Sequence, residues 1–237
     1  MSDTSIKIVL EDVSKYCGKV CARNRVDNEF APGALTTLLG PSGAAALQRE
    51  MTEHTLSRID RLRASREITV EIRFEGGDED LMREWLGADL MYRPQTGDDL
   101  GSRMRICFEE SFETGDNVSV IIGTDIPEIS EAIIDEAFDL LKEKDIVLGP
   151  AKDGGYYLIG LRKSVGAEAV SELFSGIQWG RDTVFENTIR IAARLGLSAS
   201  RVAVLADVDR PEDMPLWERY GRVRKPNASA SGISVII

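Results

Sequence analysis

Four short segments carry residue types able to do chemistry where strands end. In Gly123-Thr124-Asp125-Ile126-Pro127 an acid follows the β-branched run 117–123 (NVSVIIG). A carboxylate at the end of a buried strand is poorly solvated unless it is paired or bound to a cation. A hard cation such as Mg²⁺ takes one or two carboxylates together with substrate phosphate oxygens. Asp125 is therefore a candidate ligand, and equally a candidate N-cap for the helix that follows. The second segment is Asp207-Val208-Asp209-Arg210-Pro211. On an extended backbone, alternate side chains share a face, so both acids can converge on one point. Taken alone, such a D-x-D before Pro-Glu-Asp also reads as a solvated helix start.

The third segment, 149–157 (GPAKDGGYY), places Asp153 before Gly154 and Gly155. Two glycines allow a positive-φ turn and close approach by a ligand. A tight connection between two strands needs the same glycines, but it leaves Gly149-Pro150 and the tyrosines Tyr156 and Tyr157 unexplained. The fourth, 95–104 (QTGDDLGSRM), is a glycine-punctuated loop running into a helix. Its backbone N–H groups and Arg103 can hold a base or a phosphate at the helix start. An ordinary surface loop has the same composition.

These segments need a frame that brings strand ends together. From about residue 65 strand and helix signals alternate. Residues 68–74, 117–123, 145–148, 155–161 and 201–205 read as strands; 78–86, 130–144 and 183–195 read as helices, the last ended by Gly196. Ser130 is a plausible N-cap with Lys142 and Lys144 in the last turn. Strands separated by helices give an α/β, mostly parallel sheet covered on both faces. Ligands gather at the C-terminal strand ends of such sheets.

The chain has 237 residues, 43% of them hydrophobic, enough for one filled core. Its 40 acidic against 29 basic residues leave a net charge of −11, which repels a nucleic-acid backbone. A small phosphate ligand remains acceptable if a divalent cation offsets that repulsion. Cys17, Cys21 and Cys107 form no C-x-x-C pair, and His54 is the one histidine, so a thiolate–imidazole metal site lacks ligands. Reduced thiols, no signal-peptide pattern and no run near the roughly 18 apolar residues of a membrane helix lead us to expect a cytoplasmic protein with no membrane span. A single domain is expected over 1–223, with 1–43 an atypical N-terminal segment. Residues 224–232 read as a polar linker, and ISVII (233–237) as the start of a further domain.

Taken together, residues 44–218 resemble an uncharacterised bacterial transferase family with a glycosyltransferase-A fold. That family is related to the guanylyltransferases of molybdenum-cofactor synthesis and to other nucleotide-diphospho-sugar transferases. The stretches that carry the resemblance are 43–59 (GAAALQREMTEHTLSRI), 95–104, 123–129 (GTDIPEI), 145–161 (DIVLGPAKDGGYYLIGL), 176–184 (GIQWGRDTV) and 207–214 (DVDRPEDM). It implies a Rossmann-like three-layer sandwich with a mostly parallel sheet, and a transferase using a nucleotide or nucleotide-sugar donor and an acceptor it does not identify. By resemblance Asp125 and Asp209 hold Mg²⁺ or Mn²⁺, and Asp125 and Asp153 are catalytic. Gln95, Gly97, Leu100, Gly101 and Arg103 face the nucleotide; Gly154, Gly155, Tyr156, Tyr157 and Trp179 border the acceptor. Ile126 stands where cysteine is usual.

The first 43 residues depart from the family. Its Pro-Gly-Lys-x-Lys-Thr-Arg-Leu opening, whose cations grip the nucleotide phosphates, is replaced by a segment resembling the start of an ABC-transporter ATPase. Lys19 and Arg23 are the cations left to substitute. A true P-loop is excluded, because Ala46 and Leu47 occupy the lysine and hydroxyl positions after Gly40-Pro41-Ser42-Gly43. The alternative is a non-catalytic nucleotide binder, or a hybrid that lost its phosphate grip. ISVII resembles the first strand of a family-2 glycosyltransferase, which suggests a fused or neighbouring domain of that kind.

Overall fold

The computed structural model describes residues 6–10, 34–76 and 78–221; Lys19, Arg23, the linker and ISVII lie outside them. Seven strands form one sheet: β1 (Ile6–Leu10), β2 (Thr69–Phe74), β3 (Met91–Pro94), β4 (Val118–Ile122), β5 (Ile146–Pro150), β6 (Tyr156–Arg162) and β7 (Ala199–Arg201). Their order is β3-β2-β1-β4-β6-β5-β7. All pairings are parallel except the two made by β6, which runs antiparallel to β4 and β5. Because β6 is reversed, its first residue, Tyr156, lies at the end where the parallel strands finish.

The sheet is sandwiched. On one face lie α1 (Ala34–Arg63, broken at Gly40), α2 (Glu79–Leu86) and α4 (Glu131–Leu140). Their Ile59, Met82, Ile134 and Phe138 pack against Ile8, Val70, Ile72, Val120 and Ile122. The other face carries α3 (Leu100–Glu113), α5 (Ala167–Leu173) and α6 (Val184–Arg194), with Phe108, Leu173 and Ala192 packed on Val9, Ile121 and Ile159. A last helix, α7 (Met214–Tyr220), closes one end by burying Trp217 against Leu47, Met51 and Val208. This is the expected three-layer α/β sandwich. No helix among the described residues is long and apolar enough to cross a membrane.

Local chemistry explains the element ends. Asp78, Asp99 and Ser130 cap α2, α3 and α4, the second through a reciprocal box in which Ser102 N–H donates to Asp99 at 2.7 Å. Two expectations need correction. Lys142 and Lys144 fall in the turn after α4, not in its last turn, because the helix stops at Leu140. The strand expected at 201–205 is β7 at Ala199–Arg201, and Leu205 rejoins only as a single bridge to Ala151. The interruption follows from Pro150, at a register shift in β5, which has no N–H to give the neighbouring strand.

The polar face of β2 is not solvated. Glu71 and Arg73 are buried under α3 in an ionic network: Lys7 Nζ lies 2.8 Å from Glu71, Arg73 lies 2.7 Å from Glu110, and Arg93 lies 3.2 Å from Glu110. Lys7 also approaches Asp116, which accepts from Ser111 Oγ at 2.9 Å.

Candidate functional site

A cavity of about 570 Å³ opens at the C-terminal ends of the parallel strands. The loop after β4 supplies Gly123 to Ile126, the β5–β6 turn supplies Asp153 and Gly155, and the segment before α7 supplies Asp207 to Arg210. Gln48 and Met51 of α1, Leu100 and Met104 of α3, and Trp179 to Arg181 before α6 complete the walls.

The two acidic segments predicted to meet do so. The Val208 N–H donates to the Asp125 carbonyl at 3.0 Å, tying the loop after β4 to the Asp207–Asp209 segment. Neither acid is consumed as a helix cap. Ser130 caps α4, and Asp213 Oδ2 accepts the N–H groups of Asp209 and Arg210 at 3.2 and 2.9 Å. Asp153 Oδ1 accepts from the Gly155 N–H at 2.8 Å. Burial, then the negative charges of Asp209 and Asp153, push the Asp207 carboxyl up to about 6. Such crowding of acids suits a bound cation, which would relieve the repulsion. Among the described residues no three or more His, Cys, Asp or Glu side chains are grouped as a metal cage.

Helix α1 holds the loop after β4 from behind, which the sequence reading missed. Gln48 Nε2 donates to Thr124 Oγ1 at 2.8 Å, Thr55 Oγ1 donates to the Thr124 carbonyl at 3.4 Å, and His54 Nε2 lies 3.0 Å from the Pro127 carbonyl. Since a carbonyl only accepts, Nε2 carries the proton. The His54 ring meets Trp217 edge-on at 5.6 Å, so one residue touches both the Asp125 loop and the helix behind Asp209. The available signal was a polar stripe at helical spacing, Gln48, Thr52 and Thr55, inside an otherwise apolar face.

The residues expected to face the nucleotide divide. Leu100 lines the cavity; Gln95, Gly97, Gly101 and Arg103 stand behind its wall. Arg103 is engaged by Glu75 at 3.0 Å, Gln95 at 2.9 Å and the Gly97 carbonyl at 3.3 Å, so its guanidinium braces the loop rather than reaching into the cavity. Gly101 gives room to Trp179: a Cβ there would fall 2.5 Å from the indole.

On the acceptor side, Gly155, Tyr156, Tyr157 and Trp179 line the cavity, and Trp179 packs edge-on to Tyr156 at 6.4 Å. Gly154 lies behind them because a Cβ would fall 2.0 Å from the Asp182 carbonyl, and the Phe185 N–H donates to the Gly154 carbonyl at 2.9 Å. Tyr157 has a structural duty as well. Its hydroxyl donates to the Ala203 carbonyl at 2.8 Å. Two cations on the cavity wall, Arg181 and Arg210, were not singled out from the sequence.

The comparisons with known proteins agree with this geometry. The family model described as "Uncharacterized protein conserved in bacteria (DUF2064)" matches residues 58–181, more than half of the chain. The chain belongs to this family. Its members' pattern thus spans β2 through the segment that delivers Trp179 and Arg181. A 2-phospho-L-lactate guanylyltransferase from Methanopyrus kandleri is 32% identical over 97 residues, which cover 40% of this chain and 46% of that protein. The match therefore spans less than half of that relative's length. Among solved structures, a candidate nucleotide-diphospho-sugar transferase from Desulfovibrio desulfuricans is 28% identical with a TM-score of 0.76, covering 96% of this chain and 91% of the other. The 2-C-methyl-D-erythritol 4-phosphate cytidylyltransferase of Thermus thermophilus shares the fold at a TM-score of 0.54 and 14% identity, covering 93% and 99%.

Proposed function

We propose that this family member is a transferase that binds a nucleotide-activated donor in the cavity, through Mg²⁺ or Mn²⁺ held by Asp125 and Asp209. The observation carrying the reading is the Val208–Asp125 hydrogen bond, which joins two acid-bearing segments at one wall of the cavity. A divalent cation bound there supplies charge neutralisation for phosphate groups. The chain's own residues do the rest. Gln48, Thr55 and His54 hold the Asp125 loop, while Leu100 and Met104 offer an apolar wall to the base. Asp153, with one oxygen fixed by the Gly155 N–H, keeps its other oxygen to accept a proton from an acceptor hydroxyl. Tyr156 and Trp179 form the aromatic side of the acceptor space. The sequence relative named as a guanylyltransferase makes nucleotidyl transfer the first reaction to assay, with sugar transfer second.

The test is thermal unfolding with Mg²⁺ and, in turn, GTP, CTP, UTP and their diphospho-sugars. A ligand bound only by the folded state raises the melting point by mass action. One nucleotide should raise it in a Mg²⁺-dependent way. If none does, the transferase reading is wrong.

A further inference from the structure

Among the described residues, Arg181 and Arg210 are the cations of the cavity lining, beside Asp125, Asp153, Asp207 and Asp209. In a chain of net charge −11, arginines beside that many carboxylates would be expected to pair with them. Among the described residues neither has a carboxylate within the 4.0 Å of an ion pair, whereas Arg73, Arg103 and Arg105 each have one. No carboxylate among the described residues competes with a ligand for either guanidinium.

Their backbones, in contrast, are fixed. Arg181 sits between Trp179, stacked on Phe174 at 6.4 Å, and Asp182, whose carbonyl is pressed against Gly154. Its own carbonyl accepts from the Val184 N–H at 3.3 Å as α6 begins. Arg210 opens the Pro211–Asp213 turn, donating its N–H to Asp213 at 2.9 Å and accepting the Asp213 N–H at 3.0 Å. Rigid backbone with an uncommitted fork-shaped donor is the arrangement that recognises a phosphate or carboxylate, because less freedom is lost on binding. Both arginines reach the cavity from segments that follow β6 and β7, the half of the sheet that carries Asp153 and Trp179, and not from α1 or α3.

We propose that Arg181 and Arg210 form an oxyanion site that takes a phosphate or carboxylate group of the acceptor, making this a transferase for a negatively charged small molecule. The word acceptor rests on the transferase reading above; the site itself does not.

The experiment titrates inorganic phosphate into the full chain, with and without saturating Mg²⁺ and the nucleotide found to bind, and follows the melting point. Phosphate should stabilise the wild type in both conditions. Arg181→Ala and Arg210→Ala should each weaken phosphate binding about tenfold or more, the usual loss for a hydrogen bond to a charged group, with nucleotide affinity unchanged. Arg190→Ala, a surface change of the same charge, should alter neither. Phosphate affinity identical in wild type and both variants overturns the site. Displacement of phosphate by nucleotide, with both affinities falling together in the variants, overturns its assignment to the acceptor. Should no nucleotide bind while phosphate binding still depends on the two arginines, the site stands and the donor reading falls.

Discussion

The Val208 N–H and the Asp125 carbonyl, 3.0 Å apart, join the loop after β4 to the Asp207–Asp209 segment across 83 residues of sequence. The bond is made by backbone, so it survives replacement of either carboxylate. Asp125→Asn and Asp209→Asn should therefore fold normally, with melting points near that of the wild type in EDTA. Each should lose most of the extra stabilisation that Mg²⁺ plus nucleotide gives, about 2.7 kcal/mol at a ligand concentration of 100 times Kd. Thermal scans with and without Mg²⁺ measure it; a full shift in either variant removes that residue from the proposed metal site.

Much of this site was legible because its signals are local. A carboxylate after a β-branched run, a D-x-D after a strand and a glycine pair before two tyrosines each announce a strand end, and the doubly wound frame says where strand ends meet. The behaviour of individual side chains was less legible. Arg103 looks like a phosphate ligand at a helix start, yet Glu75, 28 residues earlier in the chain, claims it. The alternation in β2 reads as a half-solvated strand, because no periodicity distinguishes a charge facing water from one facing Lys7 under α3. Arg181 and Arg210 carried no spacing signal; only the fold shows that both line the cavity.

That buried network gives a stability prediction. Lys7 is 2% exposed and Glu71 is fully buried, with Arg73 and Arg93 drawn to the same carboxylate group. Removing one partner unbalances the buried charges that remain, which costs up to about 3–5 kcal/mol. Lys7→Met should lower stability by that amount in urea unfolding, and Glu71→Gln, which leaves Lys7 with Asp116 at 3.7 Å, by a similar amount. A loss below about 1 kcal/mol, typical of an exposed pair, would mean that water reaches the pair.

His54 predicts a pH dependence. Burial, and then the Arg58 charge, hold its imidazole below the usual value of 6.5, against the opposing pull of the Pro127 carbonyl. The unfolded chain takes up this proton near 6.5 and the folded chain only at lower pH. Unfolding is thus coupled to proton uptake, and stability falls as pH drops below 6.5 toward the folded value. The slope is at most about 1.4 kcal/mol per pH unit for one proton. His54→Gln keeps an N–H donor without the titration, so the difference in unfolding free energy between wild type and variant should shrink or change sign as pH falls. Parallel stability curves above and below pH 6.5 would show that His54 titrates normally.

Tyr157 separates structure from function at the cavity wall. Val202 N–H donates to the Leu148 carbonyl and Leu205 N–H to the Pro150 carbonyl, three residues apart on one strand and two on the other, so the ladder is irregular here and the Ala203 carbonyl takes its donor from a side chain. The Tyr157 hydroxyl supplies the donor at 2.8 Å, and Gly149 leaves room for the ring, since a Cβ there would lie 2.6 Å from it. Gly149 and Tyr157 thus serve the ladder's irregular stretch together. Burial raises the phenol well above its usual value, so it stays a donor throughout the physiological range. Tyr157→Phe removes this hydrogen bond and should cost about 0.5–1.5 kcal/mol in urea unfolding. Nucleotide binding, followed by the Mg²⁺-dependent melting shift, should be retained, because the ring that faces the cavity is unchanged. If binding is lost while stability is intact, the hydroxyl belongs to the ligand and not to Ala203.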